Sequence, residues 1–116
     1  GGNPFACAAI NAVFEQFEKK KLPEHAKTVG EYLWDQLEQI KNQYDFITGH
    51  RGIALMQGLE LAAEKQAGKV VSAALEKGLI LMTAGNNVLR FVPPLVIEEH
   101  DVDEMIKILK EVLDKA

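Results

Sequence analysis

The chain has 116 residues, 47% of them hydrophobic and 26% charged, with a formal net charge of -4 at neutral pH. That balance suits one soluble globular domain with a real core and excludes a disordered or fibrous chain. Acids and bases alternate without a basic patch, which argues against nucleic acid; no apolar run reaches membrane-spanning length, and the single cysteine, Cys7, excludes an internal disulfide. With no signal peptide apparent, the expected setting is cytoplasmic. The opening Gly-Gly-Asn-Pro carries no initiator methionine, so the chain is expected to be processed or part of something longer.

Pro4 suits the first turn of a helix, with Asn3 as its cap. Phe5, Ala8, Ala9, Ala12, Val13 and Phe17 recur at helical spacing and place Cys7 in an apolar helix as a small buried hydrophobe. A second helix opens at Pro23 and runs to about residue 43. Its stripe is Ala26, Val29, Leu33, Leu37, Ile40 and Tyr44, with Trp34 beside it. Residues 46–52, FITGHRG, form a short extended piece punctuated by glycine. Residues 53–61, IALMQGLEL, alternate as a half-buried strand with Ile53, Leu55, Leu59 and Leu61 on one face, and Gly58 marks a bulge or a close backbone approach.

A third helix is predicted over residues 65–77, with Val70, Val71, Ala74 and Leu75 facing inward and Gly78 as its stop. LILMT and VLRFV flank the turn AGNN and predict an antiparallel hairpin, ended by Pro93 and Pro94. A last helix covers about residues 101–114, with Val102, Met105, Ile106, Leu109, Val112 and Leu113 inward. The order is α, α, β, β, α, β, β, α. The fold class is therefore α/β (α+β): a small sheet of three to four mostly antiparallel strands, with helices packed on one face. Residues 1–44 read as a helical segment leading into an α/β unit over residues 45–116, the two forming one compact whole.

The chemical inventory is thin. His25, near a helix start, and His100, in the acidic turn EEHD, are expected to be solvated. No spacing matches a zinc site. Glu98, Glu99, Asp101 and Asp103 read as an acidic first helical turn and not a calcium loop. Residues 49–52, GHRG, could hold an anion with His50, Arg51 and backbone amides, although a simple turn is the stronger reading. Arg90 is the exception, a guanidinium inside the apolar run NNVLRFVPPL. Burying that charge unpaired is costly. If Leu89 and Phe91 face the core, Arg90 faces away. It is then either solvated or structurally paired, or it lines a pocket as a fork for a carboxylate.

Three segments carry a resemblance. GGNPFACAAINAVFE, HRGIALMQGLEL and GLILMTAGNNVLRFVPPLVI resemble, in order, three motifs of the class III pyridoxal-phosphate aminotransferases. The likeness covers essentially the whole chain. One departure is Ala54, where the family pattern has glycine, at a position read as a strand face. The resemblance implies the C-terminal small domain of such an enzyme, together with the helix leading into it. It implies that Arg90 meets a substrate carboxylate. It also implies that the large domain of the same enzyme and a homodimeric partner complete the protein. The Schiff-base lysine and the other cofactor contacts of the family would lie outside this chain, leaving no catalytic, cofactor-binding or metal residue here and no pyridoxal phosphate bound to the fragment alone. No lysine in the sequence sits in an apolar setting that would desolvate its amine. The isolated domain would expose apolar surface where the rest of the enzyme docks. The competing reading is a free-standing module that binds a small carboxylate through Arg90 and the GHRG segment.

Overall fold

The computed structural model describes residues 24–94 and 96–116. The predicted first helix, with Cys7 and the lysines at 19–21, lies outside the described residues. Helix α1, Glu24–Gln43, buries Ala26, Val29, Gly30, Leu33, Leu37 and Ile40, a stripe spaced by three and four residues. Strands β1 (Ile47–Ile53) and β2 (Met56–Leu61) follow, then helix α2 (Ala67–Glu76), strands β3 (Leu81–Ala84) and β4 (Val88–Phe91), and helix α3 (Glu99–Asp114). The four strands form one antiparallel sheet in the order β1-β2-β4-β3. Leu59, Leu61, Leu81, Leu89 and Phe91 are buried and share a single core with the helix stripes. The expected small antiparallel sheet with helices is thus the fold observed.

Three local expectations need correction. The long strand over residues 53–61 is interrupted: Ile53 pairs with Met56, and Ala54 and Leu55 form a two-residue hairpin turn. Leu55 is only 1% exposed because the turn folds it under into the core, so it keeps the alternation with Leu59 and Leu61 without being in their strand. Ala54 has φ 50°, a left-handed conformation that glycine adopts at little cost. The glycine of the family pattern therefore answers a turn and not a strand face. Secondly, of the two readings of Gly58 the bulge fails and the close approach holds: the irregularity in the ladder lies in β1 between Ile47 and Gly49, and Gly58 pairs regularly with Arg51 and Arg90 where an added Cβ would lie 3.3 Å from the Leu89 carbonyl oxygen. Thirdly, Leu75 is 60% exposed. The core face of α2 follows Ala67, Val70 and Ala74, and Leu75 lies about 100° around the helix from Ala74.

The tip of the β1–β2 hairpin docks on α1 through contact and hydrogen bonding. A Cβ added to Gly30 would lie 2.7 Å from the Ala54 carbonyl carbon, so only glycine lets the helix approach this closely. Beside it, the buried amide of Gln57 donates to the carbonyls of Gly30 (2.9 Å) and Ala54 (2.6 Å). Its oxygen lies 3.1 Å from Nε2 of His50, whose Nδ1 is 2.6 Å from a Glu38 carboxylate oxygen. The His50 ring stacks on Trp34 at 3.7 Å and its side chain is fully buried. No buried polar side-chain atom among the described residues is left without a partner.

Helices α1 and α3 run side by side in the same direction. The Tyr32 hydroxyl donates to Asp103 near the start of α3, and the Tyr44 hydroxyl donates to Asp114 at its end. Glu98 and Asp101 form a reciprocal capping box at the start of α3. The acidic cluster there serves as a helix start, as its sequence suggested.

Two outcomes follow from this packing. Gly30→Ala is expected to destabilise the protein by about 1–3 kcal/mol, because the new methyl meets backbone that cannot rotate away; chemical denaturation measures it. Burial, the hydrogen bond to Asp114 and the charge of Asp114 push the Tyr44 hydroxyl up to about 12. Its folded value exceeds the ordinary value of 10.0, so its contribution is complete below pH 10 and is lost as the pH rises towards 12. The urea midpoint of the wild-type chain should fall more steeply than that of Tyr44→Phe across that window, by about 1 kcal/mol of stability.

Candidate functional site

The burial of Leu89 and Phe91, both 0% exposed, fixes which way β4 faces. Val88 and Arg90 must then point to the opposite side of the sheet, where Arg90 is exposed. Its cross-strand neighbours are Gly58 on β2 and Met82 on β3, and Gly58 is in turn paired with Arg51 on β1. Two arginines thus flank a glycine in one row across three strands, their backbones about 10 Å apart. Gly58 carries no side chain between them. An added Cβ there would come within 3.0 Å of Val88 Cγ1 and 3.3 Å of the Leu89 carbonyl oxygen.

The result is an open groove of about 540 Å³ floored by Gly58, with Arg51, Met56, Glu60, Val88 and Arg90 along it and Ala84–Gly85–Asn86 at one end. Its two cations are not equivalent. Arg51 donates to Glu60 Oε2 at 3.2 Å, and the other Glu60 oxygen accepts from Thr48 at 2.9 Å. Arg90 takes part in none of the ion pairs among the described residues. The groove therefore presents one paired guanidinium and one exposed guanidinium without an ion pair among the described residues. Such a fork matches a carboxylate in geometry and charge. Ile53, 41% exposed, and Met56 lie on the same face, so the groove mixes apolar surface with charge.

Of the remaining sequence candidates, Arg51 lines this groove and the three histidines do not. GHRG is strand and not a turn, so His50 and Arg51 point to opposite faces and cannot share an anion. His50 is committed to the docking of the hairpin on α1. His25 is only half solvated: its Nε2 lies 2.9 Å from the carbonyl oxygen of Ile97, which ties the start of α1 to the segment ahead of α3. His100 is 79% exposed beside Asp101. A second hollow, of about 550 Å³, lies between α2 and the end of α3. It is lined by acids and bases together, and Lys65 there is engaged with the Ala116 carbonyl at 3.0 Å, so it presents no single chemistry.

A pyridoxal-phosphate site needs a lysine amine in a desolvated pocket. The described lysines are exposed or half-exposed, and none lines the groove beside Arg90. The described residues do not by themselves fit that cofactor. They offer one binding cation on a shaped, open surface. The residue that sequence reading undervalued is Asn87. The sequence AGNN reads as a turn and Asn87 lies in it, yet its side chain also bonds the last residue of β2, the loop after it and the first residue of α2. Only its left-handed φ of 63° was foreshadowed, by its place in AGNN.

Comparison with known proteins bears on this geometry. The family model described as aminotransferase class III matches residues 1–113. An acetylornithine aminotransferase of Synechocystis sp. is 44% identical over 116 residues, and the match takes in 97% of this chain and 27% of that protein. One of Caldanaerobacter subterraneus subsp. tengcongensis is 41% identical, over 99% of this chain and 29% of that protein. Among solved structures, the N-acetylornithine aminotransferase of Stenotrophomonas maltophilia superimposes with a TM-score of 0.73 at 30% identity, covering 99% of this chain and 32% of that one. The lysine aminotransferase of M. tuberculosis shares the fold at a TM-score of 0.75 and 24% identity, over 88% of this chain and 24% of its own. The chain thus spans less than a third of the proteins it matches. With the family model matching residues 1–113, nearly its whole length, this chain belongs to the class III aminotransferases.

Proposed function

We propose that this chain is the C-terminal part of an acetylornithine aminotransferase. The full-length form would transfer an amino group from N-acetylornithine to 2-oxoglutarate, a step of arginine biosynthesis in the cytoplasm. In this reading residues 1–44 lead into the small domain of residues 45–116, and the large domain of a homodimeric enzyme completes the active site. Family membership implies pyridoxal phosphate in the full-length enzyme, and the residues that would hold it lie outside this chain. The names of the relatives at 44% and 41% identity support the choice of amino donor.

The observation that carries the reading is the contrast between two neighbouring arginines. Arg51 is neutralised by Glu60, whereas Arg90, two strands away on the same face, has no ion pair among the described residues. A structural arginine would be matched as Arg51 is. An arginine kept for a ligand is left with its fork open, and its position on an inner strand fixes it better than a loop could. Its role would be to hold a substrate carboxylate by two parallel hydrogen bonds and so to set where the reacting carbon lies.

In the full-length enzyme, Arg90→Gln is expected to raise the KM for 2-oxoglutarate about a hundredfold while the protein remains folded. An unchanged KM in steady-state assays would refute the assignment. The 116-residue chain on its own is expected to catalyse no amino transfer and to form no stoichiometric imine with added pyridoxal phosphate. Absorbance spectroscopy checks this, and a one-to-one imine band would overturn the division of labour proposed here.

A further inference from the structure

Asn87 stands immediately before β4, three residues ahead of Arg90. Its side-chain amide nitrogen faces three carbonyl oxygens, those of Leu61 at 3.2 Å, Ala62 at 3.1 Å and Lys65 at 2.6 Å. Its side-chain oxygen accepts the Ala67 amide at 2.8 Å. Three acceptors on one side and a donor on the other leave only one orientation of the amide. On the main chain, the Asn87 carbonyl accepts the Leu61 amide at 3.0 Å, which carries the β2–β4 ladder one step past the Glu60–Val88 pair.

Asn87 therefore fastens the start of β4 to the end of β2, to the loop behind it and to the first turn of α2. Gln66, the residue at the N-cap of α2, makes no side-chain cap bond of its own, and Asn87 supplies an acceptor from 20 residues away. The conformation required, φ 63°, is one that asparagine tolerates better than most side chains. The mechanical consequence falls on Arg90. Slipping β4 by one residue against β2 would exchange the faces of Leu89 and Arg90, and a smaller shift would turn the guanidinium away from the gap above Gly58.

We propose that Asn87 is the positioning residue for Arg90, setting the register of β4 so that the guanidinium meets its ligand in the groove. This rests on the reading of Arg90 as a carboxylate anchor. The test uses the full-length enzyme and two amino acceptors, 2-oxoglutarate and a simple aldehyde without a carboxylate. Asn87→Asp keeps the size, the tolerance of positive φ and the acceptor for Ala67, but turns a carboxylate oxygen towards three carbonyls. Asn87→Gly keeps the φ and removes the side chain. Each variant is expected to raise the KM for 2-oxoglutarate about tenfold. Turnover of the aldehyde should change less than about twofold. Combined with Arg90→Gln, neither should worsen the KM further, since both act on one interaction.

Equal losses on the two acceptors, an unchanged KM for 2-oxoglutarate, or effects that add to those of Arg90→Gln would each overturn the proposal and leave Asn87 a purely structural residue. Loss of fold in both variants would do the same. If Arg90→Gln itself leaves the KM unchanged, the anchor reading fails and the positioning role fails with it, an outcome separable from the others by that single variant.

Discussion

The burial of Leu89 and Phe91 is the constraint on which the rest depends. β4 is an inner strand, hydrogen-bonded on both sides, so it has no freedom to twist away from its neighbours. Two large apolar side chains with no exposure leave only one parity for the strand. Arg90 is then carried to the opposite face at no desolvation cost, and its charge reaches water although the segment around it is almost wholly apolar. The combination is economical: the residues that build the core also aim the cation. A loop arginine would lose more side-chain and backbone freedom on meeting a ligand than one mounted on this strand.

The helical layer is held to the sheet by different means at different places. Between α1 and α3 the apolar seam is supplemented by a tyrosine–carboxylate bond near each end of α3, which sets the two helices in parallel register. At the hairpin tip the contact is too close for side chains to mediate. A glycine on the helix and a strained alanine in the turn let backbone meet backbone, and Gln57 supplies hydrogen bonds to two carbonyls that the turn and helix leave there. His50 extends that set to Glu38 on α1. Buried polar groups of this kind contribute little net stability when satisfied and cost a great deal when broken, so they specify one arrangement of α1 on the sheet.

Under the proposed function, the chain would take one share of the labour of a longer enzyme. This chain, under a third of the length of its relatives, provides a rigid platform and two exposed guanidinia, of which Arg90 has no ion pair among the described residues. Chemistry that needs a desolvated amine is foreign to its described surface. The groove is open, with apolar side chains beside the arginine, which is the form the proposed half-site would need.

The sequence by itself determined the order of the described elements, the stripes of α1 and α3 and the β3–β4 hairpin, because periods of 3.6 and 2 report burial directly. The ordered motifs also made the family legible from the residues. Tertiary structure decided the rest. Leu55 preserved a strand alternation while sitting in a turn, and nothing in the spacing of residues 53–61 reveals that, since a core can be filled from a turn as well as from a strand. The GHRG segment looked like a turn because glycines punctuate it, yet pairing with β2 makes it strand and sends His50 and Arg51 to opposite faces. The role of Asn87 was invisible for a similar reason. Its partners lie 20 to 26 residues back along the chain, and a side-chain hydrogen bond across that distance leaves no period in the sequence. Local pattern encodes which face a residue takes; which distant backbone group it meets there is settled only when the elements pack.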